Sequence, residues 1–296
     1  MSADVLVLGG SGVDTTVYVP ELPLPYRDTY HVPPVVDRIG NTGSGVALGC
    51  HALGLGVVFA DLIGDDPQGA LIRDALRGLD CRWGRAEAGT TRSVLLVGPD
   101  GRRLSLHDPK ATPGERLPRQ LYAGVAARHA HVSITDRCRD VYAGLECESV
   151  STDLHDWDGA NDYHKDFAYR SDLVFLSSTA LRDPAAAMRH ILARGRAHTV
   201  VCMRGADGCL VLTRADADAD VRAFPAVPLP GPVADSNGAG DAFVSGFLYG
   251  RLRGRSLEEC VRLGAIAGAH ACTVAGTHES PITEPLLLAR AQALVG

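Results

Sequence analysis

Short runs of apolar, often β-branched residues alternate with segments whose apolar positions recur every three or four residues. That rhythm predicts an α/β fold, a mostly parallel sheet with helices on both faces. Core strands are predicted at Val5 to Leu8, Val57 to Asp61, Ala130 to Ile134, Ser149 to Leu154, Leu173 to Leu176, Thr199 to Met203 and Leu210 to Thr213. Helices are predicted at Gly45 to Leu53, Pro67 to Leu79, Arg137 to Leu145, Pro184 to Arg194, Gly240 to Leu252, Leu257 to Cys272 and Glu284 to Val295. Two stretches break the rhythm. Thr15 to Val36 is rich in β-branched, Tyr and Pro residues, and Arg92 to Leu106 reads as a hairpin about the Pro99-Asp100-Gly101 turn. Both predict extra strands forming a small lid (near 15–36 and 92–106) within one domain spanning 1–296. The acidic run Ala215 to Val221 reads as an exposed turn.

Composition narrows the chemistry. The chain has 296 residues, 46% hydrophobic and 22% charged, the makeup of a globular protein able to bury a sizeable core. With 29 Lys+Arg against 35 Asp+Glu the net charge is −6, which offers no surface for neutralising phosphates and argues against a nucleic-acid partner. The only lysines are Lys110, after Asp-Pro, and Lys165, after Tyr-His. Neither fits the G-x-x-x-x-G-K-[ST] loop or a V-A-I-K strand, so the lysine-dependent phosphate sites are excluded. The eight cysteines form no C-x-x-C pair, which points to neither a zinc site nor a disulfide framework. No basic leader or uncharged apolar run of ~18 residues is present, so a reduced cytoplasmic protein without a membrane partner is expected.

The strongest chemical signal is Asp235-Ser-Asn-Gly-Ala-Gly-Asp241-Ala-Phe243 before an apolar helical stretch. Backbone N–H groups of Gly238, Ala239 and Gly240 can converge at a helix N-terminus, where the dipole favours an anion. Asp241, in the first turn, is placed to take a proton from a hydroxyl that attacks a phosphate held there. A plain glycine turn with an acidic helix start is the simpler alternative.

This segment resembles the D-T-x-G-A-G-D-x-F signature of the ribokinase-like (PfkB) carbohydrate and nucleoside kinases. Gly9 to Pro23 looks like that family's opening strand, substrate aspartate and first lid strand. Gly40 to Gly69 is similar to its glycine-rich substrate loop, helix and G-x-D-x-x-G segment, Met203 to Gly208 to its nucleotide loop, and Gly276 to Pro281 to the loop closing a monovalent-cation site. The resemblance implies a three-layer ribokinase-like sandwich that phosphorylates a hydroxyl of a small carbohydrate with ATP and Mg²⁺. It implies Asp241 as general base, the 238–240 amides as anion hole, and Asp14, Gly12, Gly40, Asn41 and Gly45 around the acceptor. Met203, Arg204, Gly205, Ala206, Asp207, Gly208 and Ser177 would border the nucleotide. Asp235, Asn237, Gly276 and Ser280 match positions of the cation loop, which in this family takes K⁺. A homodimer through paired lids is a further implication.

Four departures stand out. Asn41 takes the second glycine of G-G-x-x-x-N, Gly45 takes its asparagine, and Gly12 replaces an asparagine common two residues before the aspartate. The family's N-x-x-E motif aligns with Ser177-Ser-Thr-Ala180. A nucleoside kinase with an adenosine- or pseudouridine-type acceptor, its base admitted by Gly12 and Gly45, therefore stays open, as does a non-catalytic sugar- or nucleotide-binding relative. Gly9-Gly10-Ser11-Gly12 lacks the third glycine of a dinucleotide fingerprint. Asp153-Leu-His155-Asp156-Trp-Asp158 has metal-ligand residue types without ligand spacing, and reads as a loop that could touch substrate. His51 reads as a core histidine, and Tyr163-His164-Lys165 as surface.

Overall fold

The computed structural model describes residues 3–216 and 220–294. The chain opens with β1 (Ala3–Leu8), β2 (Gly12–Tyr18), β3 (Val36–Gly40), α1 (Thr42–Ala52), β4 (Val57–Ile63), α2 (Pro67–Ala75) and β5 (Asp80–Arg85). It continues through β6 (Arg92–Val97), β7 (Arg103–Asp108), β8 (Ala126–Val132), β9 (Glu146–Asp153), α3 (Asp162–Arg170), β10 (Leu173–Ser177) and α4 (Pro184–Arg194). It ends with β11 (Thr199–Met203), β12 (Cys209–Thr213), β13 (Arg222–Phe224), α5 (Ala239–Leu252), α6 (Leu257–Ala271) and α7 (Glu284–Ala293).

Nine strands form one sheet in the order β13-β12-β11-β10-β9-β8-β1-β4-β5, parallel except where β12 and β13 turn back. Its apolar runs supply two cores. Val5 and Val7 face one core with α1, α5, α6 and α7, while Leu6 and Leu8 face the other with α3 and α4. Burial on both faces is why these strands read as continuous apolar runs, each fully buried aliphatic contributing ~1.5–3 kcal/mol. Local chemistry sets the helix starts: Asp66 and Asp183 cap α2 and α4 ahead of a proline, and Ser256 with Glu259 forms a capping box on α6.

The lid is a four-stranded sheet, β3-β2-β6-β7. The hairpin at 92–106 is present as β6 and β7, closed by the Gly98 N–H donating to the Arg102 carbonyl at 2.9 Å. The stretch 15–36 is corrected: it holds the end of β2 and the start of β3, and the segment between is not strand. Pro20, Pro23, Pro25, Pro33 and Pro34 lack the N–H groups a ladder needs.

Other corrections have equally local causes. The segment 137–145 is two short 3₁₀ turns, Asp136–Cys138 and Val141–Gly144, not an α-helix. Leu117 donates its N–H to the Arg137 carbonyl at 2.8 Å, taking the acceptor an α-helix would need. Tyr163-His164-Lys165 opens α3, and the Tyr163 hydroxyl donates to the Ile134 carbonyl at 2.7 Å, so this is no free surface segment. His51 is exposed at the last turn of α1 and is no core histidine. Residues 217–219 of the acidic run and Val295 of the predicted last helix lie outside the described residues. Among the described residues no helix is long and apolar enough to cross a membrane.

Candidate active site

Residues from several segments gather toward the carboxyl ends of the parallel strands, where open α/β sheets take ligands. Register puts Asp153 of β9 beside Phe175 and Ser177 of β10 beside Met203 of β11. The turn after β1 arrives from the other side, fixed by the buried Asp61 carboxylate. That carboxylate accepts the Ser11 N–H at 2.8 Å and the Ser11 hydroxyl at 2.6 Å.

Gly238, with φ 74°, precedes α5, and no side chain caps this helix among the described residues. A Cβ there would run into the Thr277 carbonyl and sit 2.9 Å from the His278 ring, so glycine is required twice over. The Ala239 N–H leans on the Ser236 carbonyl at 3.4 Å, and the orphan donors of the first turn point to an open anion site. Met203 lies within 3.6 Å of where a Gly240 Cβ would stand, bringing the 203–208 loop against this helix start. That loop is a closed turn: Arg204 donates its N–H to Gly208 at 2.8 Å, and Gly205, Ala206 and Asp207 are exposed. The Ser177 hydroxyl sits 2.8 Å from that of Thr179.

Asp241 has a side chain only 14% exposed. Burial holds its carboxyl well above the ordinary range, the Asp153 charge adds to that, Arg103 opposes it, and Asp14 adds again. Burial likewise raises Asp14, against a hydrogen bond from Ser93 and the Arg103 charge, with Asp235 adding to the rise. Asp14 and Asp241 thus share one field despite lying in the lid and in α5. Gly40 packs where any side chain would strike the Asp14 carboxylate.

The three altered polar positions are explained by who fills the space. A Cβ at Gly12 would fall inside the Asn41 side chain, whose amide donates to the Ser11 carbonyl at 3.2 Å. A Cβ at Gly45 would fall inside the His278 imidazole and within 2.8 Å of the Asp241 Cβ. The room that Gly12 and Gly45 were expected to leave for a base is therefore taken. Asn41 also holds φ 67° and ψ 151°, a backbone region left almost entirely to glycine.

Near the cation loop, the Asn237 Oδ1 is buried without a hydrogen-bond partner, and Asp235 accepts the Asn237 N–H at 2.9 Å. A cavity of about 30 Å³, room for one small ion or water, is lined by Gly45, Gly238, Gly276, Thr277, His278 and Ser280 among others. Among the described residues no cluster of three His, Cys, Asp or Glu side chains could hold a metal, so 153–158 is no such centre. Its carboxylates close the loop instead: Asp153 accepts the His155 N–H at 2.9 Å, and Asp158 accepts those of Ala160 and Asn161.

Three residues here escaped the sequence reading. Arg103, on the exposed lid strand β7, is the cation whose field reaches both Asp14 and Asp241. His278 stands 3.5 Å from the Asp241 carboxylate. Thr42, at the start of α1, pairs with the His155 Nε2 at 3.0 Å. Only the alternation of β7 could have flagged Arg103; nothing local marks the other two.

A three-layer sheet with a β lid, an uncapped helix start and a buried carboxylate in its first turn define a phosphotransferase that acts on a hydroxyl. The profile of the pfkB family carbohydrate kinases matches residues 167–284. The chain is 52% identical over 292 residues to the acarbose 7(IV)-phosphotransferase of Actinoplanes sp., covering 96% of this chain and 97% of that one. It belongs to the PfkB family of carbohydrate kinases. A solved structure of a microbiome-derived acarbose kinase superposes with TM-score 0.89 at 45% identity, covering 98% of this chain and 99% of that one. The Arabidopsis thaliana ribokinase complexed with ribose and ATP gives 0.78 at 20% identity over 98% of both chains, a likeness of fold. ATP is the phosphoryl donor in this family, and the full-length likeness to sugar kinases makes this chain's acceptor a small carbohydrate.

Proposed function

We propose that this chain is a single kinase domain that transfers the γ-phosphoryl group of ATP to a hydroxyl of an acarbose-like pseudo-oligosaccharide. The carrying observation is Asp241, a buried carboxylate in the first turn of an uncapped helix, within the field of Arg103 and Asp14 from the lid sheet. Asp14 and the 40–45 loop orient the acceptor, while the lid excludes water. Asp241 takes the hydroxyl proton, the raised affinity of its carboxylate for protons favouring that transfer. The 238–240 amides stabilise charge on the transferring phosphoryl group without any lysine. Both lysines are engaged elsewhere, Lys110 with Asp108 and Lys165 with Asp162.

The Asp153 and Asp14 charges both reach Asp241, and a divalent cation carried in on the nucleotide's own phosphates would offset them. Mg²⁺, when bound, supplies charge neutralisation on the phosphate oxygens. The orphaned Asn237 Oδ1, and separately the small cavity beside Gly276 and Ser280, support a monovalent ion such as K⁺ held with Asp235. Register puts Val17, Leu96 and Leu104 on the outer lid face with Leu106, and Leu104 and Leu106 are 49% and 54% exposed. Pairing of two lids there into a homodimer belongs to the proposal, as does a cytoplasmic location, where ATP is available.

An ADP-release assay with acarbose, maltose, ribose, adenosine and cytidine tests the reading. Turnover is expected with acarbose well above the rest. Preference for a nucleoside would overturn the acceptor class, and no ADP release with any carbohydrate would overturn the reaction.

A further inference from the structure

His278 presents an unused acceptor to the site. Its side chain is 5% exposed, its Nε2 has no hydrogen-bond partner, and that nitrogen lies 3.5 Å from the Asp241 Oδ2. With the ring proton on Nδ1, Nε2 is a bare lone pair. Two buried acceptors then stand side by side, and neither can satisfy the other while Asp241 is ionised. A buried polar atom left unpaired is costly, so a donor belongs between or beside them.

The ring's place is equally specific. It occupies the volume that a side chain at Gly45 would fill and touches the space of Gly238, so it stands between the acceptor loop and the anion site. We infer that His278 is a specificity-determining binding residue, its Nε2 receiving a second hydroxyl of the carbohydrate adjacent to the one that Asp241 deprotonates. The preferred acceptor therefore carries two neighbouring hydroxyl donors, one for each buried acceptor atom. An acceptor with an isolated hydroxyl leaves Nε2 unpaired and is rejected.

The inference rests on the reading of Asp241 as base, and the test separates the two. Steady-state kinetics compare acarbose with analogues lacking one hydroxyl at a time near the phosphorylated position. For the native enzyme, loss of one particular neighbouring hydroxyl should lower kcat/KM about 10- to 100-fold, the usual range for a site whose buried polar atom is stranded. In His278→Leu that same analogue should be disfavoured less than about 3-fold, because the stranded atom is gone. His278→Gln, which returns an acceptor oxygen near Nε2, should restore the discrimination. An undiminished penalty in His278→Leu overturns the inference, as does a rate loss equal for every acceptor, which would mark a merely structural role. Should His278→Leu fail to fold, His278→Gln decides alone: discrimination kept at the same hydroxyl supports the inference, and discrimination moved or unchanged in rank but spread over all hydroxyls overturns it. Asp241→Asn retaining full turnover would sink the base assignment while leaving the His278 comparison readable.

Discussion

The proposed anion site and the proposed acceptor pocket lie against each other, yet they are built in opposite ways. Four consecutive residues, 238–241, make up the proposed anion site, and its donors would be main-chain amides whose direction follows from one left-handed glycine at 238. The acceptor pocket draws Asp14 from β2, Asn41 from the start of α1 and His278 from the loop before α7. Phosphate is the same in every reaction of this kind, so a backbone device serves without change. Acceptors differ, and side chains from separate segments can exchange positions while the pocket keeps its polarity.

The largest effect should come where the two regions meet. Asp241→Asn should lower kcat by ~10²–10⁴, the range for a lost general base, with KM for ATP little changed. Stability should move the other way. Because burial and Asp153 raise the folded-state pKa of Asp241, its protonated form is favoured on folding. The resulting stability is present below the unfolded-state value and lost as pH climbs through the raised folded value. At neutral pH the native carboxylate is therefore a cost, and the amide should raise Tm. A variant that is inactive and also less stable would contradict this account of the burial.

Next in size is the exchange between positions 12 and 41. Gly12→Asn places a side chain inside the Asn41 amide and should cost ~1–3 kcal/mol, as overpacked cores do. Adding Asn41→Gly vacates that space and also removes the strained backbone at φ 67°, so the double variant should regain most of the loss. Denaturant unfolding of the two single variants and the double variant closes the cycle. Additive losses would mean that the two positions do not share one volume.

This exchange marks the boundary of what the sequence shows. The sheet was legible because strands buried on both faces must be apolar throughout, as in Val57 to Ile63. The anion site was legible because its geometry is local, written in the spacing of Gly238, Gly240 and Asp241. At Gly12 and Gly45 the same reasoning goes astray. A missing side chain looks like empty room until Asn41 and His278, 29 and 233 positions further along the chain, are seen to occupy it. Helix α3 was hidden for a related reason: only Phe167 and Ala168 of its nine residues are buried, too few to write a periodic pattern.

A smaller effect concerns pH. If Asp241 is the base, kcat/KM should rise with pH through a midpoint above the ordinary carboxylate value of ~3.9. The groups facing it are Asp153, Arg103, Asp14 and His278. Asp153→Asn removes a like charge that disfavours ionisation, so the acid limb should move to lower pH. Arg103→Gln removes the opposing cation, so the limb should move to higher pH. Shifts in the same direction for both variants would break the assignment of Asp241 as the group that titrates.

The smallest effect should join the lid to the cation loop. Arg38 of β3 donates from Nε to Glu279 at 2.9 Å, and the pair crosses from the acceptor side to the loop carrying Gly276 and Ser280. With Glu279 47% exposed, its contribution to global stability should be only ~0.2–1 kcal/mol and should shrink in high salt. Its position gives it a second consequence. Gly276 packs against both side chains, so loss of the pair frees the loop and the lid strand together. Arg38→Gln should therefore leave Tm within a few degrees of native, while KM for the carbohydrate rises more than KM for ATP. Equal rises in both would place the pair among the supports of the whole site, and the contrast between a self-contained anion site and an assembled acceptor pocket would lose its sharpest edge.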